Sequence, residues 1–218
     1  MRDSDRFSIP GWGWAIVLAL AIKPLFELTR VLPRELWVLS TWMLCCVAGA
    51  IPAAFAIRHQ NREKLMRALP SFVAAIILGY AAVAASALSR SGYTLLAWRH
   101  AGFFAGQFIL YFTVCFVLEE VAFRGAIDAH IYQPNDSNKK QLVAWVSAIF
   151  VSILWGIWHL PLLGISDAST LISVAPGLIF AHVIIGVPLS FCWRTSGTLL
   201  LPTIAHALID AYRTTVLF

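Results

Sequence analysis

Three short stretches of this 218-residue chain combine residue types that can move protons. In Leu118-Glu119-Glu120-Val121-Ala122-Phe123-Arg124, two adjacent carboxylates follow a run, 100–118, that is free of Asp, Glu, Lys and Arg. Glu120 and Arg124 stand one helical turn apart, the (i, i+4) spacing of an ion pair. Successive helical residues point about 100° apart, so Glu119 is left without that partner and is available for chemistry. The alternative is a helix end at the interface, with both carboxylates hydrated and Arg124 snorkelling. His159 lies in Trp155-Gly156-Ile157-Trp158-His159 and by itself reads as an interfacial residue. His206 and Asp210 share one helix face, where a carboxylate can simply orient a core histidine. His182 has no partner at helical spacing and reads as structural.

Brought together, these residues suit two kinds of chemistry. One is hydrolysis, with a carboxylate as general base toward water and His and Asp stabilising an oxyanion. The other is a metal site, since one Glu and two His form a common catalytic zinc set. The HExxH motif is absent, so any zinc would be held from three separate helices. An ion or proton pathway is a third use for ionisable groups in a membrane.

The surroundings explain why such residues stand out. Hydrophobic residues make up 60% of the chain and charged ones 12%, against about 25% charged in a soluble domain. With a mean hydropathy of +0.78, this composition excludes a disordered tail, a nucleic-acid arm and a disulfide scaffold. It predicts an all-α, polytopic membrane bundle of seven to eight helices in one integral membrane domain, 1–218. Five runs lack Asp, Glu, Lys and Arg: 36–57, 68–89, 100–118, 141–166 and 168–193. Two further spans are expected over about 10–29 and over 197–217. The first is read as a retained helix, because Lys23-Pro24-Leu25-Phe26-Glu27 stands where a cleavage site would be. Cys45, Cys46, Cys115 and Cys192 lie in apolar runs and read as small buried hydrophobes. With the N-terminus inside, ten Lys and Arg fall on the cytoplasmic side and five outside, which favours that orientation in a cytoplasmic (inner or plasma) membrane.

Depth ties the chemical residues together. At 1.5 Å per residue, Glu119 lies about 18 Å inward of Ile131 and His159 about 28 Å inward of Lys140. From Ser196, His206 is about 15 Å inward and Asp210 about 21 Å. All four reach mid-membrane depth from one side.

These residues also resemble a family. Glu119 to Arg124 resembles the EExxxR motif of the CPBP intramembrane proteases, which include type II CAAX prenyl endopeptidases and bacteriocin-immunity proteins. Trp155 to His159 resembles the FxxxH motif, with Trp in the aromatic place. His206 to Asp210 resembles HxxxB, where B is Asn or Asp. Gly186-Val187-Pro188-Leu189 and the segment Thr195 to Pro202 are similar to the family's approach to its last motif. The resemblance covers about 101–218, expected as the catalytic core behind N-terminal membrane helices in 1–100.

The resemblance implies a membrane protease with its cavity open to the cytosol. Glu119 would activate water, assisted by His159. Glu120 would support the site and hold Arg124, and His206 and Asp210 would form the oxyanion pocket. It leaves open whether no cofactor is needed or Zn2+ is held, by Glu119, His159 and His206. Trp155 is expected to reshape the cavity. An ionised Asp210 cannot donate a hydrogen bond, so it is expected to orient His206. The implied substrate is a membrane-anchored protein or peptide, cut near its C-terminus or anchor; prenylated CAAX proteins are what the best-known relatives cut. The partners are that substrate and the lipid bilayer, with no nucleic acid. The alternative is a non-catalytic immunity or adaptor protein, or an ion carrier. A carrier would spread its charges along a path, whereas here they sit on three helices at one depth.

Overall fold

The computed structural model describes residues 60–88, 101–132 and 140–217. The spans expected over 10–29 and 36–57, and with them Cys45 and Cys46, lie outside the described residues. Those described form helices and no strand. The helices are α1 (Arg62–Leu88), α2 (Ala101–Ile131), α3 (Lys140–His159), α4 (Ala168–Ser196) and α5 (Leu200–Leu217). Four of them are long and apolar enough to cross a membrane.

The helix ends follow from local chemistry. Asn61 accepts the Lys64 N–H at 3.2 Å, which caps α1 and starts it six residues before the expected apolar run. At the start of α4, the Asp167 carboxylate accepts the Thr170 N–H, its hydroxyl and the Ser169 hydroxyl. Those donors hold its carboxyl below the ordinary carboxylate range. Helix α3 stops well short of the expected residue 166. Pro161 tightens the chain into a turn at Leu160–Leu163, closed by Gly164 at φ 66°. Gly197, at φ 69°, ends α4 in the same left-handed conformation.

Packing places α5 inside the bundle. Helix α1 packs on α4 and α5, α3 on α4, and the first part of α2 on α5. The α1–α5 crossing is close because α1 presents Ala75, Gly79 and Val83. A Cβ on Gly79 would lie 2.5 Å from Ile209 Cδ1. Small residues are what let membrane helices approach. The expected span over 197–217 is present as α5, but composition alone does not qualify it as a crossing helix. Its His206, Asp210 and Arg213 lower its hydropathy, and it tolerates them because its neighbours, not lipid, surround His206 and Asp210. All five helices contribute to one apolar core of Ala75, Ala122, Phe123, Val151, Trp155, Leu189 and Ala205.

Candidate active site

Helix α2 changes character where its carboxylates begin. Over Cys115–Asp128 it loosens from α-helical to i→i+5 hydrogen bonding, a widening often found at functional sites. A wider turn rotates successive residues by less than the α-helical angle. Both adjacent carboxylates therefore address the same imidazole. Glu119 Oε2 lies 3.6 Å from His206 Nε2, while Glu120 Oε1 lies 2.9 Å from His206 Nδ1. The expected Glu120–Arg124 pair is formed at 3.1 Å with both side chains fully buried.

Glu119 also acquires partners that helical spacing could not supply. The Trp155 indole N–H donates to its Oε2 at 2.6 Å. His159 Nε2 stands 3.6 Å from the same oxygen, and His159 Nδ1 lies 2.9 Å from the Trp155 carbonyl. Trp155 is 3% exposed and meets three imidazoles edge-on, those of His159, His182 and His206. Arg124 covers its ring at 4.4 Å. The aromatic at 155 thus does more than shape a wall: its N–H holds the carboxylate.

Asp210 completes the group. Its Oδ2 is 3.6 Å from His206 Nε2 and receives the Cys115 thiol at 3.6 Å, while Arg213 pairs with its Oδ1 at 3.2 Å. His206 thus makes its direct hydrogen bond to Glu120, which accepts at Oε1, with Asp210 further off. Glu119, Glu120, His206, Asp210 and Arg124 are buried, and His159, with 18% of its side chain exposed, is the most open of the set.

Helices α2, α3 and α5 therefore bring together Glu119, Glu120, Arg124, Trp155, His159, His206 and Asp210. The rise-per-residue count allows Glu119 and His159 a common depth, and the two meet at 3.6 Å. A rise fixes position along one axis; which helices stand side by side is decided by packing. His182, which looked structural, lies beside the cluster. Its ring centroid is 4.4 Å from that of His159, and its Nδ1 is 2.8 Å from the Leu178 carbonyl. Cys115 was passed over as a small hydrophobe. Its signal was the i, i+4 spacing to Glu119. Arg213, within the expected 197–217 span but counted with the outer charges, is signalled by its i, i+3 spacing to Asp210.

Two of the ten arginines and lysines assigned to the cytoplasmic side are not loop charges either. Arg124 is buried against Glu120, and Arg194 is buried against Asp128. Without them, and without Arg213 on the other side, which pairs with Asp210 on α5, the count is eight against four, the same two-to-one ratio.

The cluster can be tested as a metal site by its donors. One ligand atom from each of Cys115, Glu119, His206 and Asp210 lies within 4.8 Å of all the others, and all four residues are buried. Soft sulfur, imidazole and carboxylate donors suit a zinc-like ion. His159 is outside that set, although its Nε2 is within 3.6 Å of Glu119.

A bundle of apolar helices with carboxylates and imidazoles gathered in its interior defines an integral membrane protein equipped for acid–base chemistry. Residues 101–212, 112 of the 218, match the family model of the type II CAAX prenyl endopeptidases, Rce1-like. The chain belongs to this family of peptidases. The match spans every residue of the cluster except Arg213. Searches of curated proteins and of solved structures gave no match.

Proposed function

We propose that the protein is an intramembrane endopeptidase that hydrolyses a peptide bond near the C-terminus or membrane anchor of a membrane-associated protein. One observation carries this reading. The buried Glu119 Oε2 stands 3.6 Å from the Nε2 atoms of both His159 and His206, groups contributed by three different helices.

In this mechanism a water lies between Glu119 and His159, the most open of the imidazoles. Glu119 takes one of its protons as the oxygen attacks the scissile carbonyl carbon. His206 keeps a proton on Nδ1 for Glu120 and a second on Nε2, from which it donates to the developing oxyanion. Asp210 holds the imidazolium by charge, so the pocket does not need a donor at position 210. When the tetrahedral intermediate collapses, the C–N bond breaks and the amine leaves with the proton held by Glu119. Trp155 and Arg124 position Glu119 and Glu120. The 101–218 segment is the catalytic core, and the reading requires no cofactor. A zinc ion held by Glu119, His159 and His206 would supply Lewis-acid polarisation instead.

The N-terminus and the 133–140 loop are proposed to face the cytosol, with the cavity open to that side. The full membrane domain is proposed to contain seven or eight spans, in a cytoplasmic (inner or plasma) membrane. A topology reporter in the loop tests the orientation, and an outside signal there overturns it. Comparing membrane proteomes of wild type and Glu119→Gln tests the activity. One or more proteins should keep an uncut C-terminus in the variant. Identical C-termini in both, with equal expression, would favour a binding role.

A further inference from the structure

We infer that Cys115, Glu119, His206 and Asp210 form a closed binding site for a zinc-like divalent ion that switches the peptidase off. This deepens the proposed function, since the ion would occupy groups that the mechanism needs.

The geometry is the first argument. A tetrahedral ion with bonds of about 2.0–2.3 Å needs donor atoms about 3.3–3.8 Å apart. Three pairs in the cluster are separated by 3.6 Å: Cys115 Sγ to Asp210 Oδ2, Glu119 Oε2 to His206 Nε2, and His206 Nε2 to Asp210 Oδ2. All four donors lie within 4.8 Å of one another.

The surrounding contacts are a second, independent argument. Metal-binding histidines usually donate their other ring N–H to a carboxylate, and ligating carboxylates are themselves held by hydrogen bonds. Here His206 Nδ1 meets Glu120 at 2.9 Å, with Glu120 in turn held by Arg124. Trp155 holds Glu119, and Arg213 holds Asp210 at 3.2 Å. Every ligand beyond the thiol is oriented from behind.

The donor count sets the consequence. Catalytic zinc sites keep a position open for water, whereas four protein ligands close the shell. Binding removes the Cys115 thiol proton and the His206 Nε2 proton, both released to solvent, and ties up the Glu119 carboxylate. The ion therefore takes away the base and the oxyanion donor together. Nothing is oxidised or reduced.

Cobalt(II) reports the thiolate directly through its near-ultraviolet sulfur-to-metal charge-transfer band. Full-length protein in detergent, stripped with a chelator, is titrated with CoCl2. Wild type and Cys192→Ser should bind one equivalent and show the band. Cys115→Ser should lose the band and bind at least about tenfold more weakly. Glu120→Gln should keep the band with about 10–100-fold weaker binding. Zinc should lower cleavage by wild type, and Cys115→Ser should need more zinc for the same fractional loss from its own chelated rate. Stoichiometric cobalt without the band, a band that survives Cys115→Ser, or active protein that binds no cobalt overturns the inference and leaves the peptidase reading standing. Cleavage that persists in Glu119→Gln, with the band behaving as described, sinks the peptidase reading instead.

Discussion

Helix α2 buries two carboxylates that meet arginines, two turns apart, and they are built differently. At Asp128 every nitrogen of the Arg194 guanidinium donates a hydrogen bond. Its Nε donates to Asp128 Oδ2 at 2.9 Å, its Nη1 to the Ala144 carbonyl at 2.6 Å, and its Nη2 to Asp128 Oδ1 and Ser147. Tyr132 covers its face at 4.1 Å. At Glu120 the pairing with Arg124 is incomplete. Glu120 Oε2 and the Arg124 Nε and Nη2 atoms have no hydrogen-bond partner among the described residues. Nearby, Glu119, His159, His206 and Asp210 stand 3.6 Å apart instead of closing into hydrogen bonds. In a membrane interior both clusters are costly. A charge pair whose nitrogens and carboxylate oxygens are all engaged serves to hold helices together. Groups left short of contact can take up a substrate, a water or an ion.

The largest expected effect separates the two clusters by activity. Glu119→Gln should lower cleavage of a reconstituted substrate about 10²–10⁴-fold while leaving the thermal unfolding of the detergent-solubilised protein close to wild type. Unfolding that collapses along with activity would place Glu119 on the same footing as Asp128. The converse comes next. Arg194→Ala leaves a buried carboxylate unpaired and should cost about 3–5 kcal/mol of stability, read by denaturation in mixed micelles. Cleavage per folded molecule should persist, and its selective loss would make Asp128 and Arg194 part of the site.

A smaller effect probes the wall between the clusters. Gly186 on α4 faces Ser152, and a Cβ there would also lie 3.2 Å from Arg124 Nη2. Gly186→Ala should cost about 1–3 kcal/mol by overpacking and disturb activity more than Arg194→Ala does per folded molecule. Smallest is Asp167→Ala at the exposed start of α4, a slight drop in thermal stability with activity intact. Its donors lower the Asp167 carboxyl below the ordinary range in the folded chain. Its contribution is therefore present at neutral pH and is lost as pH falls through that lowered value. A stability difference from wild type that grows on acidification would contradict this.

The contrast also marks how far linear reading reaches. The Glu120–Arg124 pair was legible because its partners are four residues apart on one helix. The Asp128–Arg194 pair, 66 residues apart, was not, and Arg194 was counted as a loop charge. Trp155 was visible as an aromatic one turn before His159. Its hydrogen bond to Glu119 belongs to the approach of two helices. His182 looked idle because its neighbours, Trp155 and His159, are on another helix. Cys115 looked apolar because nothing near it in sequence told of Asp210.

By itself, the sequence determined that this chain lives in a bilayer, that it is helical, and which few ionisable residues sit inside the helices. Low charge and long apolar runs decide those points, because lipid penalises every exception. Only the tertiary structure decided that Glu119 and Glu120 both face His206, that Trp155 holds Glu119, and that Cys115 joins Asp210. Those relations depend on the widened turns of α2 and on where separate helices cross. Periodicity along one helix carries no information about either crossing.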